Sequence, residues 1–496
     1  MNKPIRIVAI LCLAMVAALL VGATWRQFFK ADDFADDATN RRVVDEEFSR
    51  DRGAILVGRT PVADTKPSDD RYEYQRTYPE PFLYAPVTGY YAYGGSITGV
   101  ERSQNSILSG EDDRLFVKRL VDMVTNDATQ GGDVALTIDA DAQRAAYDAL
   151  TDLPGDVQGA VVAIEPKTGK ILANVTSPSF NTNDLAVHDQ NQWSKNAKRL
   201  ENDEDQPLLN RGVQTALAPG STFKIVTAAA AISSGKYDAD SMVPGGATYQ
   251  LPLTSGESGQ IGNEGRDCGS GPIPFKQAME NSCNTSFAAL ANEVGADAML
   301  EQAEKFGFNQ EYFDDLQRTD GESIQAISVF PEDMDEAQTG QAGIGQFDVR
   351  ATPLQMAMVS AGVANQGVVM KPYLVDELQS ADSEVLERTD PEQLHRALSA
   401  EDAQEVTDLM VATVAEGTAY PAAIDGIDVA GKTGTAQSGI EDVPPYAWFT
   451  SFAPAENAQV AVAVMIQSAD IPREEIAGGV YGGPIAKAVM EAVIDE

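Results

Sequence analysis

Ser221-Thr222-Phe223-Lys224 sets a nucleophile and a candidate base one helical turn apart. A serine attacks acyl carbons only when something takes its proton. A lysine can do so once burial or a second cation lowers its pKa. Phe223, Ile225 and Val226 supply apolar surroundings, and Lys432 could be the second cation. Two more triplets follow in order, Ser282-Cys283-Asn284 and Lys432-Thr433-Gly434. Together they describe acyl transfer through a serine ester with lysine as the base. If Ser221 opens a helix, the free N–H groups and dipole there favour the negative charge that develops during attack.

Each triplet has a decoy. Ser233-Ser-Gly-Lys236 repeats the first spacing, but Gly235 marks it as a helix end. Ser103-Gln-Asn105, Ser179-Phe-Asn181 and Ser194-Lys-Asn196 all precede Ser221, and Lys167-Thr-Gly169 reads as a hairpin turn. Other chemistries fare worse. His188 and His395 are the only histidines, both in polar stretches that read as surface, so a Ser-His-Asp triad has no visible base. No metal-ligand spacing and no phosphate-binding glycine loop is present, and no cofactor is expected.

The elements that must position these residues form one unit beginning near Gly159. Apolar runs at 160–164 and 170–176 flank the turn Glu165-Pro-Lys-Thr-Gly169. Helical patterns cover 223–232, 296–306, 352–364 and 400–416; strands return at 427–436, 447–453 and 460–467, before a closing helix at 485–494. Strands at both ends with helices between predict an α+β unit whose sheet joins its two termini. Segments 181–205 and 377–391 read as polar connections. Before this unit, 72–93 is rich in Tyr and Pro and reads as extended segments and loops, 133–139 as a strand, and 141–150 as a helix.

The chain of 496 residues is long enough for two or three domains. Its formal charge of −39 repels nucleic acid, which excludes that class of partner. Ile7 to Trp25 is almost wholly apolar and long enough to span a bilayer. Lys3 and Arg6 precede it; Arg26 and Lys30 follow, then the acidic Asp32, Asp33, Asp36 and Asp37. The span reads as a retained anchor; Val21-Gly22-Ala23 resembles a signal-peptide cleavage site and gives the competing reading. Either way most of the chain is exported. There Cys268 and Cys283 form either a bridge across a short loop or two free thiols.

The chain resembles the class B penicillin-binding proteins, bacterial peptidoglycan D,D-transpeptidases, and its short N-terminal layout is most similar to the actinobacterial PbpA type. The likeness rests on Arg52-Gly-Ala-Ile55, Gly99-Val-Glu101 through Leu108-Ser-Gly110, Leu136-Thr-Ile-Asp139 with Gln143, Ala218-Pro-Gly-Ser-Thr-Phe-Lys224, and Gly345-Gln346 before Thr352-Pro353. It implies a cytoplasmic segment at 1–6, an anchor at 7–25, a pedestal or dimerisation-like domain at 26–150, and a penicillin-binding, serine β-lactamase-like domain at 151–496, its antiparallel sheet flanked by helices. It further implies Ser221 as nucleophile, Lys224 as base and Ser282 as proton relay, with Asn284, Lys432, Thr433, Gly434 and Thr435 holding substrate. The implied partners are stem peptides ending in D-Ala-D-Ala, β-lactams and a glycosyltransferase of wall synthesis. D,D-carboxypeptidase or β-lactamase activity on the same site, or a scaffolding role, are the alternatives.

Overall fold

The computed structural model describes residues 3–29, 45, 48–93, 96–116, 130–437, 443–472 and 477–494. Its centre is a five-stranded antiparallel sheet ordered Ala430–Ala436, Tyr446–Ala453, Val460–Ser468, Gln158–Ile164, Ile171–Ser177. The unit's last strand thus lies beside its first, as the distribution of apolar runs predicts. Period-2 alternation splits each inner strand between two cores. Val161, Ala163, Val462 and Val464 face one cluster with Ala142, Ala146, Leu150, Ile485 and Val489. Val162, Ile164, Ala461 and Ala463 face the other, with Leu354, Ala357 and Ala361. Helices therefore cover both faces: Ala140–Thr151 and Gly478–Ile494 on one, Pro353–Ala364 on the other.

These helices begin where the chemistry directs. Asp139 caps Ala140–Thr151 by accepting from the Ala142 N–H at 2.7 Å. Thr352 caps Pro353–Ala364, with Pro at the first helical position where no N–H is needed. Gln143 ties three parts together: it donates to Leu83 O (2.9 Å) and Asn174 O (3.1 Å) and accepts from Asn174 N (2.8 Å). On the second core face, helix Lys224–Ser233 is apolar on every side and is buried from Lys224 to Ile232, as all-round apolarity demands.

A second, six-stranded sheet is ordered Val385–Arg388, Val375–Gln379, Asp133–Leu136, Ile55–Val57, Thr60–Pro67, Tyr74–Thr77. Beside it the Arg52 and Glu101 segments meet. Glu101, fully buried, accepts from Arg52 Nε at 2.7 Å, Arg76 Nε at 2.6 Å and Tyr78 OH at 2.9 Å. Burial alone would raise its pKa, but the Arg76 and Arg52 guanidiniums outweigh this and hold it below the ordinary value.

Two polar segments fold otherwise than the sequence predicts. Within 181–205, Gln190–Glu201 is a helix capped by Asp189; its apolar side is only Trp193, Ala197 and Leu200, too thin a stripe to stand out. Within 377–391, most of one strand and all of another extend the N-terminal sheet, carried by Val375 and Leu378 inward and by charged residues outward. Nor is His188 on the surface: its side chain is 8% exposed and Nδ1 lies 2.5 Å from Asp70 Oδ2. His395 is half-buried, with Nε2 2.6 Å from Gln310 Oε1. Helix Lys3–Phe29 is long and apolar enough to cross a membrane; the acidic run 32–37 lies outside the described residues.

Candidate active site

Ser221 sits in a 3₁₀ turn, Gly220–Phe223, that runs directly into helix Lys224–Ser233. The serine is thus one turn ahead of the α-helix that the spacing leads it to open. Thr222 Oγ1 donates to Pro219 O at 2.8 Å and the Gly220 N–H donates to Gly345 O at 3.0 Å, which fixes the turn. Gly220 has φ +53, and a Cβ there would lie 2.8 Å from Thr435 O. A Cβ on Gly434 would lie 2.9 Å from Pro219 O and 3.0 Å from Thr222 Cγ2. The Lys-Thr-Gly strand and the serine turn are therefore in backbone contact, and glycine is what permits it.

Ser282 occupies the tight turn between helices Phe275–Glu280 and Asn284–Val294. Its φ of +53 is left-handed, a conformation that costs a non-glycine residue about 1–3 kcal/mol and persists only where its surroundings enforce it. The enforcement is visible. The Ser282 and Cys283 N–H groups donate to Met279 O (3.1 Å) and Ala278 O (2.8 Å). Cys283 is disulfide-bonded to Cys268, with Cα atoms 5.8 Å apart.

That turn aims both oxygens of Ser282 at lysines. Lys224 Nζ lies 2.8 Å from Ser282 O, 3.2 Å from Ser282 Oγ and 2.6 Å from Asn284 Oδ1. Lys432 Nζ lies 2.9 Å from the same Oγ and 3.1 Å from Thr433 O. Asn284 is oriented by its Nδ2 donating to Gly262 O at 3.1 Å. Both lysines are fully buried. Burial first, then Lys432 and Arg266, push Lys224 well below the ordinary lysine pKa against the opposing pull of Glu264. Burial and then Arg266 do the same to Lys432. Two charged ammonium groups sharing one buried hydroxyl destabilise one another, which favours loss of a proton from Lys224, the lysine on which both Lys432 and Arg266 act.

A cavity of about 330 Å³ opens above these groups, lined by Ser221, Ser282, Asn284, Thr433 and Thr435, with Glu264, Arg266 and Gln346 around them. The sequence candidates are thus brought together: Ser221, Lys224, Ser282, Asn284, Lys432, Thr433, Gly434 and Thr435 share one site, and the Cys268–Cys283 bridge borders it. The decoys do not join it. Ser233 and Lys236 are exposed at the far end of the helix, and Lys167-Thr-Gly169 forms the hairpin turn, Gly169 N–H to Glu165 O at 2.9 Å. Two residues have no sequence signal. Arg266 donates from Nη1 to Ser282 O at 3.1 Å, and Thr418 Oγ1 lies 2.9 Å from Thr433 Oγ1. Neither stands at a diagnostic spacing; proximity to Cys268 is the sole hint for Arg266. Among the described residues no cluster of His, Cys, Asp or Glu is placed to hold a metal ion.

The penicillin binding protein transpeptidase domain model matches residues 159–491, and the penicillin binding protein A dimerisation domain model matches 52–134. The chain is 40% identical over 503 residues to the peptidoglycan D,D-transpeptidase PbpA of Mycolicibacterium smegmatis, covering 100% of each chain. It is 39% identical to PbpA of Mycobacterium tuberculosis, covering 100% of this chain and 99% of that protein. The solved ceftriaxone acyl-enzyme complex of penicillin-binding protein A from M. tuberculosis superposes with TM-score 0.86 at 38% identity, over 91% of this chain and 100% of that one. The penicillin G acyl-enzyme complex of that protein gives 0.83 at 39%, over 90% and 100%. With that coverage, and with the three motifs converging on one cavity, the chain belongs to the class B penicillin-binding protein transpeptidases, in their PbpA group.

Proposed function

We propose that this chain is a membrane-anchored peptidoglycan D,D-transpeptidase working through an acyl-enzyme on Ser221. One observation carries the assignment of roles. Ser282 Oγ lies within hydrogen-bond reach of both buried lysines, at 3.2 and 2.9 Å, in a cavity whose wall includes Ser221. Neutral Lys224 takes the proton from Ser221 Oγ as that oxygen bonds to the carbonyl carbon of the penultimate D-Ala. The developing oxyanion is met by the backbone N–H groups of Ser221 and Thr435. The C–N bond to the terminal D-Ala then breaks, and its nitrogen receives the proton from Lys224 through Ser282 Oγ. An amine of a second stem peptide then bonds to the ester carbon, the C–Oγ bond breaks, and the proton the amine loses passes through Lys224 to Ser221 Oγ.

The substrate's place follows from the sheet. Ala430–Ala436 is an edge strand, so one row of its N–H and C=O groups is free of sheet partners. A stem peptide lying along it gains backbone hydrogen bonds as an added strand would. Asn284 holds its amide, and Lys432, with Thr433, Gly434 and Thr435 beside it, holds its carboxylate. A β-lactam acylates Ser221 by the same attack. The apolar helix Lys3–Phe29 anchors the chain with the domain outside the membrane, where D-Ala-D-Ala peptides are.

The competing outcome is hydrolysis, since the Glu264 carboxylate also lines the cavity and could orient water. Its pairing with Arg266 argues against this. Incubation with a stem peptide ending in D-Ala-D-Ala and an amine acceptor separates the two. A cross-linked product formed with D-Ala release is expected; release with only the shortened peptide would make the chain a carboxypeptidase.

A further inference from the structure

We infer that Arg266 is a positioning residue for this reaction: it grips the Ser282 carbonyl, the same oxygen on which Lys224 docks, and so fixes the base against its relay. The inference rests on the transpeptidase reading above. Arg266 Nη1 lies 3.1 Å from Ser282 O and Lys224 Nζ lies 2.8 Å from it. A carbonyl oxygen has two lone pairs, and here a guanidinium and an amine take both.

The arginine is held for this. Its Nε donates to Asn263 O at 3.0 Å. Asn263 is buried and in turn accepts on Oδ1 from the Thr285 N–H at 3.0 Å, so the Arg266 loop is fastened to the helix that follows Ser282. Two residues on, Cys268 is bonded to Cys283, the neighbour of Ser282. Arg266 and the strained Ser282 turn are therefore one covalently closed piece. Its left-handed conformation points the carbonyl at two N–H donors, the Arg266 guanidinium and the Lys224 amine, which is the gain set against its strain.

The consequence is electrostatic as well as geometric. Arg266 cannot lose its charge, whereas both lysines can. The charged groups facing Lys224 are Lys432 from the edge strand and Arg266 and Glu264 from the loop; Arg266 and Lys432 disfavour a proton on it, and Glu264 favours one. Arg266 acts on Lys432 in the same direction. Removing Arg266 therefore raises the pKa of both lysines. The bell-shaped pH profile of acylation slides to higher pH on both limbs. A purely structural arginine would lower the bell without sliding it.

The test is the rate constant for acylation by a fluorescent penicillin, read from about pH 5 to about pH 10. The full-length chain is compared with Arg266→Gln, Arg266→Lys and Glu264→Gln. Expected for Arg266→Gln is a loss about tenfold greater on the acid side than on the basic side, which corresponds to both limbs displaced upward by about half a pH unit. Arg266→Lys should restore the position of the limbs. Glu264→Gln changes an exposed carboxylate and should fold regardless; Glu264 acts on Lys224, so the acid limb of its profile should move the opposite way, to lower pH. An equal loss at every pH in Arg266→Gln, or an unmoved profile in Glu264→Gln, overturns the inference. If the unaltered chain is not labelled at Ser221 at all, the reading of the site itself fails, and that is seen before any variant is made.

Discussion

Ser282 concentrates the chemistry at the scale of single residues. One hydroxyl lies between two buried lysines, and one carbonyl takes an amine and a guanidinium. The pH behaviour follows from the sign of the lysine shift. Lys224 is held well below the ordinary lysine range, so the acid limb of acylation, where pH drops through that depressed value, lies lower than an ordinary lysine would place it. Lys224→Ala should lower the acylation rate by about 10²–10⁴-fold and remove this acid limb, measured as penicillin labelling against pH. A rate within a few-fold of the unaltered chain would exclude Lys224 as the base. Ser221, Lys224, Ser282, Asn284 and Lys432 were legible in the sequence because their order and types repeat a known chemistry. Arg266 and Thr418 were not, because their roles depend on contacts across a disulfide-closed loop and between a turn and a strand. No spacing rule encodes either contact.

Among elements, the site depends on how closely a strand approaches a turn. In Gly434→Ala the added Cβ meets Pro219 O and the Thr222 methyl, pushing the edge strand away from Ser221. Acylation should fall by up to about 100-fold, the scale of an ångström's misplacement. Denaturation should show a loss of only about 1–3 kcal/mol, the usual cost of overpacking. Far from the site, Glu101 joins Arg52, Arg76 and Tyr78 in one buried cluster. Its folded pKa is below the unfolded one, so its contribution is present above the ordinary glutamate pKa and is lost as pH falls through the lowered value. Glu101→Ala leaves two guanidiniums without their carboxylate and should cost about 3–5 kcal/mol by chemical denaturation at neutral pH. The same variant should lose little at a pH low enough to protonate Glu101. The two motifs that carry Arg52 and Glu101 were readable in the sequence; their pairing was not, since 49 residues separate them. Helix Gln190–Glu201 and strands Val375–Gln379 and Val385–Arg388 escaped for a different reason. Their apolar residues are few, and part of their packing is with Ala85, Tyr90 and strand Asp133–Leu136, far off in sequence, so local periodicity carries little of the signal.

As a whole molecule, the chain closes its central sheet by laying its last strands beside its first, which leaves the Lys-Thr-Gly strand as an open edge facing the Ser221 turn. The large-scale order of apolar runs was enough to anticipate this closure. The side chains of the apolar helix Lys3–Phe29 are exposed from Lys3 to Arg26. Deleting residues 1–29 should move the protein from the membrane fraction to the soluble one while leaving the penicillin labelling rate unchanged; labelling lost with the helix would mean that the anchor supports the site itself. The most direct measurement of all is to label the full chain with a penicillin and map the adduct by peptide mass spectrometry. The adduct is expected on the peptide containing Ser221 and should be absent from Ser221→Ala. An adduct on any other serine, or undiminished labelling of Ser221→Ala, would contradict the assignment of Ser221 as the nucleophile.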